Sequence, residues 1–394
     1  MNRYISIYLD LVRFLAALTV FFVHANYDRF TNKLPIVWRL KDLGNDAVMV
    51  FFVLSGFVIA YVVDQKEKTF SDYSVSRFAR LYSVAVPALI LTFVLDHVGA
   101  HLAFDMYDGW WYQNDHSLWR MFANLFFVNE LWFNSIRPFS NGPFWSLGYE
   151  FWYYAIFGVA CFVKKPAKFF VIGGICIFIG PKILLLLPVW LLGVQVYYVI
   201  KKKLVGEPLG WALFVGSAVF YIGFRLGGYP DALYHYMVGG LGIVYMQDYL
   251  RWSQEFLSSY IIGTLAAMHF IGAAVVAPRF ARLLGMCEKP MRYLAGYTFT
   301  LYLFHYPLLQ FLGAVTNGAV QESLRNAIVI FGTLGAIWML GGMTENRKPE
   351  WKRWILFLLD ALSGKWFVPQ KPIKSRKMDS GSKTAASLLT SRHK

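Results

Sequence analysis

Arg13 and His24 lie eleven positions apart in the first apolar stretch of the chain, Asp10-Leu-Val-Arg13-Phe-Leu-Ala-Ala-Leu-Thr-Val-Phe-Phe-Val-His24. An α-helix turns about 100° per residue, so eleven steps make roughly three turns, and the two side chains share a face about 16 Å apart. Asp10 sits one turn before Arg13 on nearly the same stripe. Ionisable groups inside a spanning helix are costly, and they usually face a polar cavity with a functional role. An imidazole there can take and give protons near neutral pH. The competing reading is a helix-end histidine touching lipid headgroups, with Arg13 snorkelling to the opposite side.

Three further segments carry chemistry-bearing residues. In Asn141-Gly-Pro-Phe-Trp145-Ser146-Leu-Gly-Tyr149-Glu150, Pro143 suits a helix start. Ser146 and Glu150 then share one face, and Glu150 falls in the outer half of its span, as His24 does in its own. A carboxylate beside a histidine holds its tautomer and stabilises the imidazolium; a structural pair between Glu150 and Arg13 or another buried base is the alternative. In Arg77-Phe-Ala-Arg80, two guanidinium groups one turn apart offer bidentate donors to phosphates, or serve only the charge bias of cytoplasmic loops. In Tyr302-Leu-Phe-His305-Tyr306-Pro307, the proline frees backbone carbonyls; His305 either partners one or lines a cavity. No Gly-rich phosphate loop, metal cluster or Ser-His-Asp signature competes. Cys161, Cys176 and Cys287 lack metal spacing, and neither a disulfide nor a metal is expected.

The elements that must position these residues are membrane helices. Hydrophobic residues make up 57% and charged residues 15% of the chain, against about 25% charged in soluble domains. Mean hydropathy is +0.45. The fourteen tryptophans, many near segment ends, suit both interfacial anchoring and pocket lining. The first segment holds charges within its apolar run and is not expected to be a cleavable signal peptide. The expected fold is all-α and polytopic, with about ten transmembrane helices near 5–25, 46–63, 81–98, 145–163, 169–181, 183–200, 209–225, 258–278, 296–314 and 326–343. Gly180-Pro181 separates the fifth from the sixth.

Charge orients this set. Lys164, Lys165 and Lys168, Lys201 to Lys203, the 64–80 loop with Lys66, Lys68, Arg77 and Arg80, and the loop with Arg279, Arg282, Lys289 and Arg292 all fall inside if both termini are cytoplasmic. The 96–120 loop is then outside and acidic. This solution requires 119–134 and 233–247 to be re-entrant or interfacial. It also leaves Arg29, Lys33, Arg39 and Lys41 on the outer side, against the rule. The transmembrane domain is expected over 1–343. A basic cytoplasmic tail over 344–394 follows, with a candidate interfacial helix at 351–362 and a disordered Lys/Ser-rich end. From Glu345 onward the tail carries twelve Lys/Arg against four Asp/Glu, so the net charge of +15 does not argue for nucleic acid.

These segments together resemble the acyltransferase 3 family of membrane O-acyltransferases, which modify bacterial surface and secreted carbohydrates. The likeness runs from residue 8 to about 343. Arg13 and His24 are similar to its first-helix signature, Phe51-Phe-Val-Leu-Ser55-Gly56-Phe57 to its second-helix motif, and Arg77-Phe-Ala-Arg80 to its cytoplasmic arginine pair. Trp145-Ser146-Leu-Gly-Tyr149-Glu150 resembles its Trp-Ser-Leu-x-x-Glu segment, and Tyr302-Leu-Phe-His305-Tyr-Pro307 its late Tyr-Leu-x-His-x-Pro segment. Each is weak alone; five in the correct order are a strong signal. Met49 stands where the family often has an acidic residue, and Ser83 where a proline often follows the arginine pair. Some relatives carry a fused periplasmic hydrolase-like domain, for which this chain is expected to have no room.

The resemblance implies transfer of an acyl group, usually acetyl, from acyl-CoA to a sugar hydroxyl. It implies His24 as general base or transient acyl carrier, Glu150 as the group that orients or charge-balances it, Arg77 and Arg80 as ligands of the CoA phosphates, and Arg13 as a donor-channel residue. Asp10, Ser55, Asn141, Trp145, Ser146, Tyr149, Tyr302 and His305 are the candidate lining residues. The donor is then acetyl-CoA or another acyl-CoA, with no metal. The other partners are a carbohydrate acceptor, free or lipid-linked, and the lipids of a bacterial inner membrane; exopolysaccharide and lipopolysaccharide are acceptors of this kind. A succinyl or longer-acyl transferase differs only in donor. A transporter or flippase for a lipid-linked sugar or acyl donor would also use intramembrane charges and broken helices, although no inverted repeat is evident.

Overall fold

Inside a bilayer every backbone polar group must find its partner within the protein, and the helix supplies one for each residue of its interior. In the computed structural model, which describes residues 2–31 and 42–362, every regular element is helical. Lys33, Arg39, Lys41 and the expected disordered end of the tail lie outside the described residues. The helices are α1 (Arg3–Ala25), α2 (Gly44–Gln65), α3 (Phe70–Leu102), α4 (Ser117–Leu125), α5 (Trp145–Phe162), α6 (Ala167–Ile179), α7 (Pro181–Lys201) and α8 (Glu207–Leu226). They continue with α9 (Tyr229–Leu241), α10 (Phe256–Val276), α11 (Ala281–Ala295), α12 (Thr298–Thr316), α13 (Glu322–Ala327), α14 (Thr333–Met343) and α15 (Lys348–Leu362).

Among the described residues, seven helical stretches are long and apolar enough to cross a membrane: α1, α2, α3, α7, α8, the run Tyr245–Ala295 and the run Glu322–Ala361. The protein is a polytopic membrane protein. Local chemistry sets several boundaries. The Asn2 side chain accepts from Tyr4 N at the start of α1, and Thr69 accepts from Asp72 N at the start of α3. Gly180 adopts φ +79° between α6 and α7, where an added Cβ would lie 2.7 Å from Trp132 Cα. The expected 64–80 loop is mostly helix, because α3 begins at Phe70; Arg77 and Arg80 are therefore helical residues. Arg282, Lys289 and Arg292 likewise sit on α11. The expected last span is interrupted by a π-helical turn, Ile328–Gly332.

The stretch at 119–134 is not a span. It is the nine-residue α4 followed by irregular backbone. That backbone is satisfied by buried side chains: Asn124 Nδ2 donates to the Ile136 carbonyl at 2.9 Å, Arg120 Nη1 to the Arg137 carbonyl at 3.0 Å, and Trp152 Nε1 to the Phe127 carbonyl at 2.9 Å. Lys182 and Glu130, both fully buried, pair at 2.5 Å and pin this segment to the start of α7. The stretch at 233–247 is covered by the thirteen-residue α9 and a π-helical turn, Tyr245–Leu250.

α12 forms the axis of the bundle, with fifteen of its nineteen residues buried. It packs on α1, α3 and α14, while α2 packs on α1, α7 and α10. α6 and α8 are peripheral, with one and two buried residues respectively. The chain divides into two compact units, Met1–Ile355 and Leu356–Lys394, so the residues just after 343 fall in the first. Thr344 Oγ1 bonds Thr300 Oγ1 at 2.9 Å, and Thr300 N donates to Glu345 at 3.4 Å, so the turn after α14 is tied to α12. The second unit is described only over 356–362, the last residues of α15.

α2 and α7 cross at two glycines, backbone against backbone. A Cβ on Gly193 would lie 1.9 Å from the Val53 carbonyl oxygen, and one on Gly56 2.0 Å from that of Trp190. Small residues let membrane helices approach this closely, and dispersion then holds them. Gly193→Ala should cost about 1–3 kcal/mol through overpacking. Gly216→Ala, which meets open space on α8, should leave stability unchanged or slightly raised. Thermal unfolding of the detergent-solubilised variants, followed by tryptophan fluorescence, checks this. Equal melting temperatures would show that the crossing does not set the α2–α7 spacing.

Candidate functional site

Three cavities adjoin one another in the bundle, and the stripe on α1 borders two of them, with Arg13 at the second and His24 at the third. The first, of about 520 Å³, is lined by Lys66, Glu67, Arg77, Arg80, Lys348 and Lys352. The second is a neck of about 60 Å³ bounded by Arg13, Ser55, Arg80, Ser146, Glu150 and Tyr302, with Phe51, Phe52 and Phe299 between them. The third is a mouth of about 800 Å³ that holds His24, Tyr27, Arg29, Trp110, Trp111, Arg137, Trp145, Trp252 and Tyr306. Val58 and Arg80 belong to both basin and neck. Val48 and Tyr302 belong to both neck and mouth. A stripe about 16 Å long on one helix thus borders a path with an arginine near one end and an imidazole at the other.

At the mouth, α1 and α12 bring His24 and His305 together. The rings stack with centroids 5.0 Å apart, and His24 Nδ1 lies 2.8 Å from His305 Nε2. His305 Nδ1 lies 2.9 Å from the Leu301 carbonyl oxygen. A carbonyl only accepts, so His305 Nδ1 carries the proton. In the neutral ring Nε2 is then the acceptor, and His24 Nδ1 donates to it. The proton of His24 is thereby assigned to Nδ1, which leaves its Nε2 with a free lone pair. Among the described residues no side chain bonds that nitrogen. Tyr27 and Tyr306 pack edge-on against the His24 ring at 5.4 and 5.1 Å.

His305 neither lines the cavity nor serves the carbonyl that Pro307 frees. It is fully buried behind His24. The freed carbonyl belongs to Leu303, four residues before the proline, and Asn141 Nδ2 donates to it at 2.9 Å. Asn141 is itself fully buried, bonded also to Thr92 at 3.2 Å, so it braces α12 and lines nothing. Tyr149 is buried against Ser253 at 2.9 Å and also lies off the path. Tyr302 reaches Ser146 at 2.8 Å and the Pro143 carbonyl at 3.1 Å, which fixes its ring between neck and mouth. Trp145 stacks on Trp252 with centroids 5.3 Å apart and walls the mouth.

Glu150 does not touch His24. In the neck it accepts from Ser55 Oγ at 2.6 Å and from the Tyr154 hydroxyl. Ser55 in turn receives Trp190 Nε1 at 3.2 Å. No hydrogen bond or ion pair joins Glu150 to the imidazoles; the group that orients His24 is His305. Arg13 pairs with Asp10 at 3.7 Å, and Asp10 also meets Arg292 at 3.4 Å. The Arg77/Arg80 pair is not a symmetric clamp. Arg77 is buried, ion-paired with Glu67 at 2.5 Å and packed over Tyr73. Arg80 has no such ion pair among the described residues and faces both basin and neck.

Sequence reasoning missed Lys348 and Lys352, assigned to the tail, and the aromatic and basic wall of the mouth. Arg29, which defied the charge rule, has a structural role there. Its guanidinium lies over the rings of Tyr27, Phe30 and Trp111 at 5.0, 4.6 and 5.0 Å, and it donates to Gln310 at 3.2 Å and to the Tyr306 hydroxyl.

A family model described as an acyltransferase domain, acyltransferase 3, matches residues 6–342. An O-acetyl transferase of Shigella phage Sf6 is 27% identical over 175 residues, which cover 41% of this chain and 48% of that protein. The chain thus spans about half the length of the curated relative it matches. No solved structure matches. The family match covers the basin, the neck and the mouth almost entirely, and the chain belongs to the acyltransferase 3 family.

Proposed function

We propose that this protein is a membrane O-acyltransferase that moves an acyl group, acetyl in the first instance, from cytoplasmic acyl-CoA to a hydroxyl of a cell-surface or exported carbohydrate. The observation that carries this reading is the run of three cavities from a basic basin to a histidine whose proton is held on the far nitrogen. The relative's description as an O-acetyl transferase supports the acyl identity. Both termini and the basin face the cytoplasm of a bacterial inner membrane, and the mouth faces outward, as the basic loops and tail favour.

Each part of the path then has a task. Lys66, Arg80, Lys348 and Lys352 receive the phosphates of the donor, with Arg80 as the fork nearest the neck. The pantetheine arm passes Arg13 and Tyr302 to bring its thioester to the mouth. The neck is about 60 Å³, so donor binding has to widen it, with Phe51, Phe299 and Tyr302 in the way. At the mouth His24 Nε2 takes the proton of the acceptor hydroxyl. The hydroxyl oxygen attacks the thioester carbonyl carbon, the C–S bond breaks, and the CoA thiolate leaves with the proton from the imidazolium. His305 keeps the base on the correct nitrogen throughout. Glu150 offsets part of the positive charge that Arg13 and Arg80 bring into the neck.

His24→Ala should lower acetylation of surface glycans by about 10³-fold or more, the scale of a lost general base. His305→Ala should cut kcat for acetyl-CoA turnover by about 10²-fold with little change in KM, because a lost orienting group leaves donor contacts intact. His305→Gln should recover part of the loss, since its amide can still accept from His24 Nδ1. Wild-type turnover in His305→Ala would remove the imidazole pair from the mechanism.

Arg80→Ala should raise KM for acetyl-CoA more than it lowers kcat, with Arg80→Lys intermediate. Arg77→Ala should act mainly on stability, since it strands the buried Glu67 carboxylate. A larger KM effect at Arg77 than at Arg80 would reverse the assignment.

Sidedness is open to labelling. In a background with Cys161, Cys176 and Cys287 replaced by serine, Asp108→Cys should react with a membrane-impermeant thiol reagent in intact cells, and Lys66→Cys only after lysis. Labelling of position 66 from outside would put the basin on the wrong side of the membrane for a donor made in the cytoplasm.

A further inference from the structure

The mouth holds two arginines that the transfer step does not use. Arg29 and Arg137 are both half-buried, and both line the cavity with His24. Neither lies within ion-pair distance of a carboxylate among the described residues, although Asp28 also borders the cavity. Arg29 spends one nitrogen on Gln310 at 3.2 Å and one on the Tyr306 hydroxyl. Arg137 spends one on the Trp111 carbonyl at 2.9 Å and lies over the rings of Trp110 and Trp252 at 5.3 and 6.0 Å. A guanidinium has five N–H donors, so both keep donors unspent. Three other buried or half-buried cations each have a carboxylate partner: Lys182 has Glu130, Arg225 has Asp46 and Arg77 has Glu67. The two mouth cations instead lie over aromatic rings, with no ion-pair partner among the described residues.

These cations sit close to the reacting nitrogen. Tyr27 and Tyr306 each touch both the His24 ring and the Arg29 guanidinium. Arg137 packs over Gly142, where an added Cβ would lie 3.5 Å from its Cζ, and Gly142 and Pro143 border the same cavity. Trp110, largely exposed, and the half-buried Trp111 border the same cavity and offer it aromatic surface of the kind on which a sugar ring lies.

Resting on the acyltransferase reading, we infer that the acceptor of this enzyme is anionic: it carries an oxyanion, a sugar carboxylate or a phosphate of its carrier, that binds Arg29 and Arg137 while its sugar ring lies on the tryptophan wall. The charged group anchors the acceptor by the bidentate hydrogen bonds that guanidinium groups make to carboxylates and phosphates. A hydroxyl on the same or the adjoining sugar then meets His24 Nε2. The oxyanion takes no part in bond making; it sets which hydroxyl is presented.

The test uses the purified full-length protein in lipid nanodiscs and reads quenching of tryptophan fluorescence. The probes are methyl β-D-glucuronide and α-D-glucose 1-phosphate, each set against the neutral methyl β-D-glucoside. At least one anionic probe should bind about tenfold or more tightly than the neutral one, and added salt should weaken that preference. Preference for the glucuronide assigns the oxyanion to the sugar; preference for the phosphate assigns it to the carrier linkage. Arg137→Gln should abolish the preference, and Arg137→Lys should keep part of it. If neither anionic probe binds more tightly than the neutral glucoside, the inference fails, without recourse to any variant. It also fails if Arg137→Gln lowers acetyl transfer to charged and neutral acceptors equally, because the arginines would then serve the tetrahedral intermediate. Acetyl-CoA binding to the same wild-type sample separates the two readings: its absence sinks the acyltransferase proposal itself, whatever the sugars do.

Discussion

The hydrogen bond between His24 and His305 is the interaction on which the site depends, and its strength is the lesser part of its effect. A neutral hydrogen bond of this kind contributes only about 1 kcal/mol to stability. What it contributes to chemistry is direction. The Leu301 carbonyl can only accept, so the order of donor and acceptor is fixed from the backbone of α12 outward through two rings. That order holds only if α12 keeps its geometry where Pro307 has removed a backbone donor. Asn141 takes up the freed Leu303 carbonyl, and Tyr302 is tied to Pro143 and Ser146. The segment before α5 is thus a splint for a weakened turn, and the proton position on His24 is its consequence.

The same segment explains why the bundle tolerates irregular backbone. Residues 126–144 carry peptide groups that no helix satisfies, and in lipid such groups would cost several kcal/mol each. Asn124, Arg120, Trp152 and the buried Lys182–Glu130 pair take up that demand. The gain is a surface that a straight helix cannot form. It brings Arg137, Gly142 and Pro143 to the cavity that holds His24 of α1 and Tyr302 and Tyr306 of α12.

Much of this was legible in the chain and some was not, for physical reasons. The helical period alone aligned Arg13 with His24, and the apolar runs located most helices to within a few residues. Gly180-Pro181 marked its break because a positive φ and a missing N–H leave few alternatives. Pairings across the fold were beyond reach of spacing. Glu150 was expected beside His24 because both lie at comparable depth, yet depth says nothing about azimuth, and Glu150 turns to Ser55 and Tyr154 instead. His305 sat in a recognised segment, but its role follows from a ring nitrogen facing α1, which no local pattern encodes. Arg29 looked like an exception to a rule about loops because the rule counts charges and cannot tell when a side chain folds back over aromatic rings. Composition likewise cannot show tertiary contact: Thr344, Glu345 and Lys348 read as tail by composition, while they contact the bundle.

A polar path through a membrane protein must also avoid becoming a leak. Once the Arg77–Glu67 and Arg13–Asp10 pairs are set aside, the lining groups of known charge are mostly cationic, with Arg80, Lys66 and Lys348 below and Arg29 and Arg137 above. Such a lining attracts anions from both ends, which suits a phosphorylated donor but also invites small anions to cross. The neck answers this. At about 60 Å³ it has room for only a few waters, and Phe51, Phe52, Phe299 and Tyr302 leave little to replace an ion's hydration shell. Arg13, Arg80 and Glu150 border it too, so charge does not bar an anion there; size does. The arm of the proposed donor is a flexible neutral chain that can displace the aromatic rings as it enters. Closure at the neck therefore comes from its size and its aromatic rings, and the cationic ends can stay strongly attractive without opening the membrane.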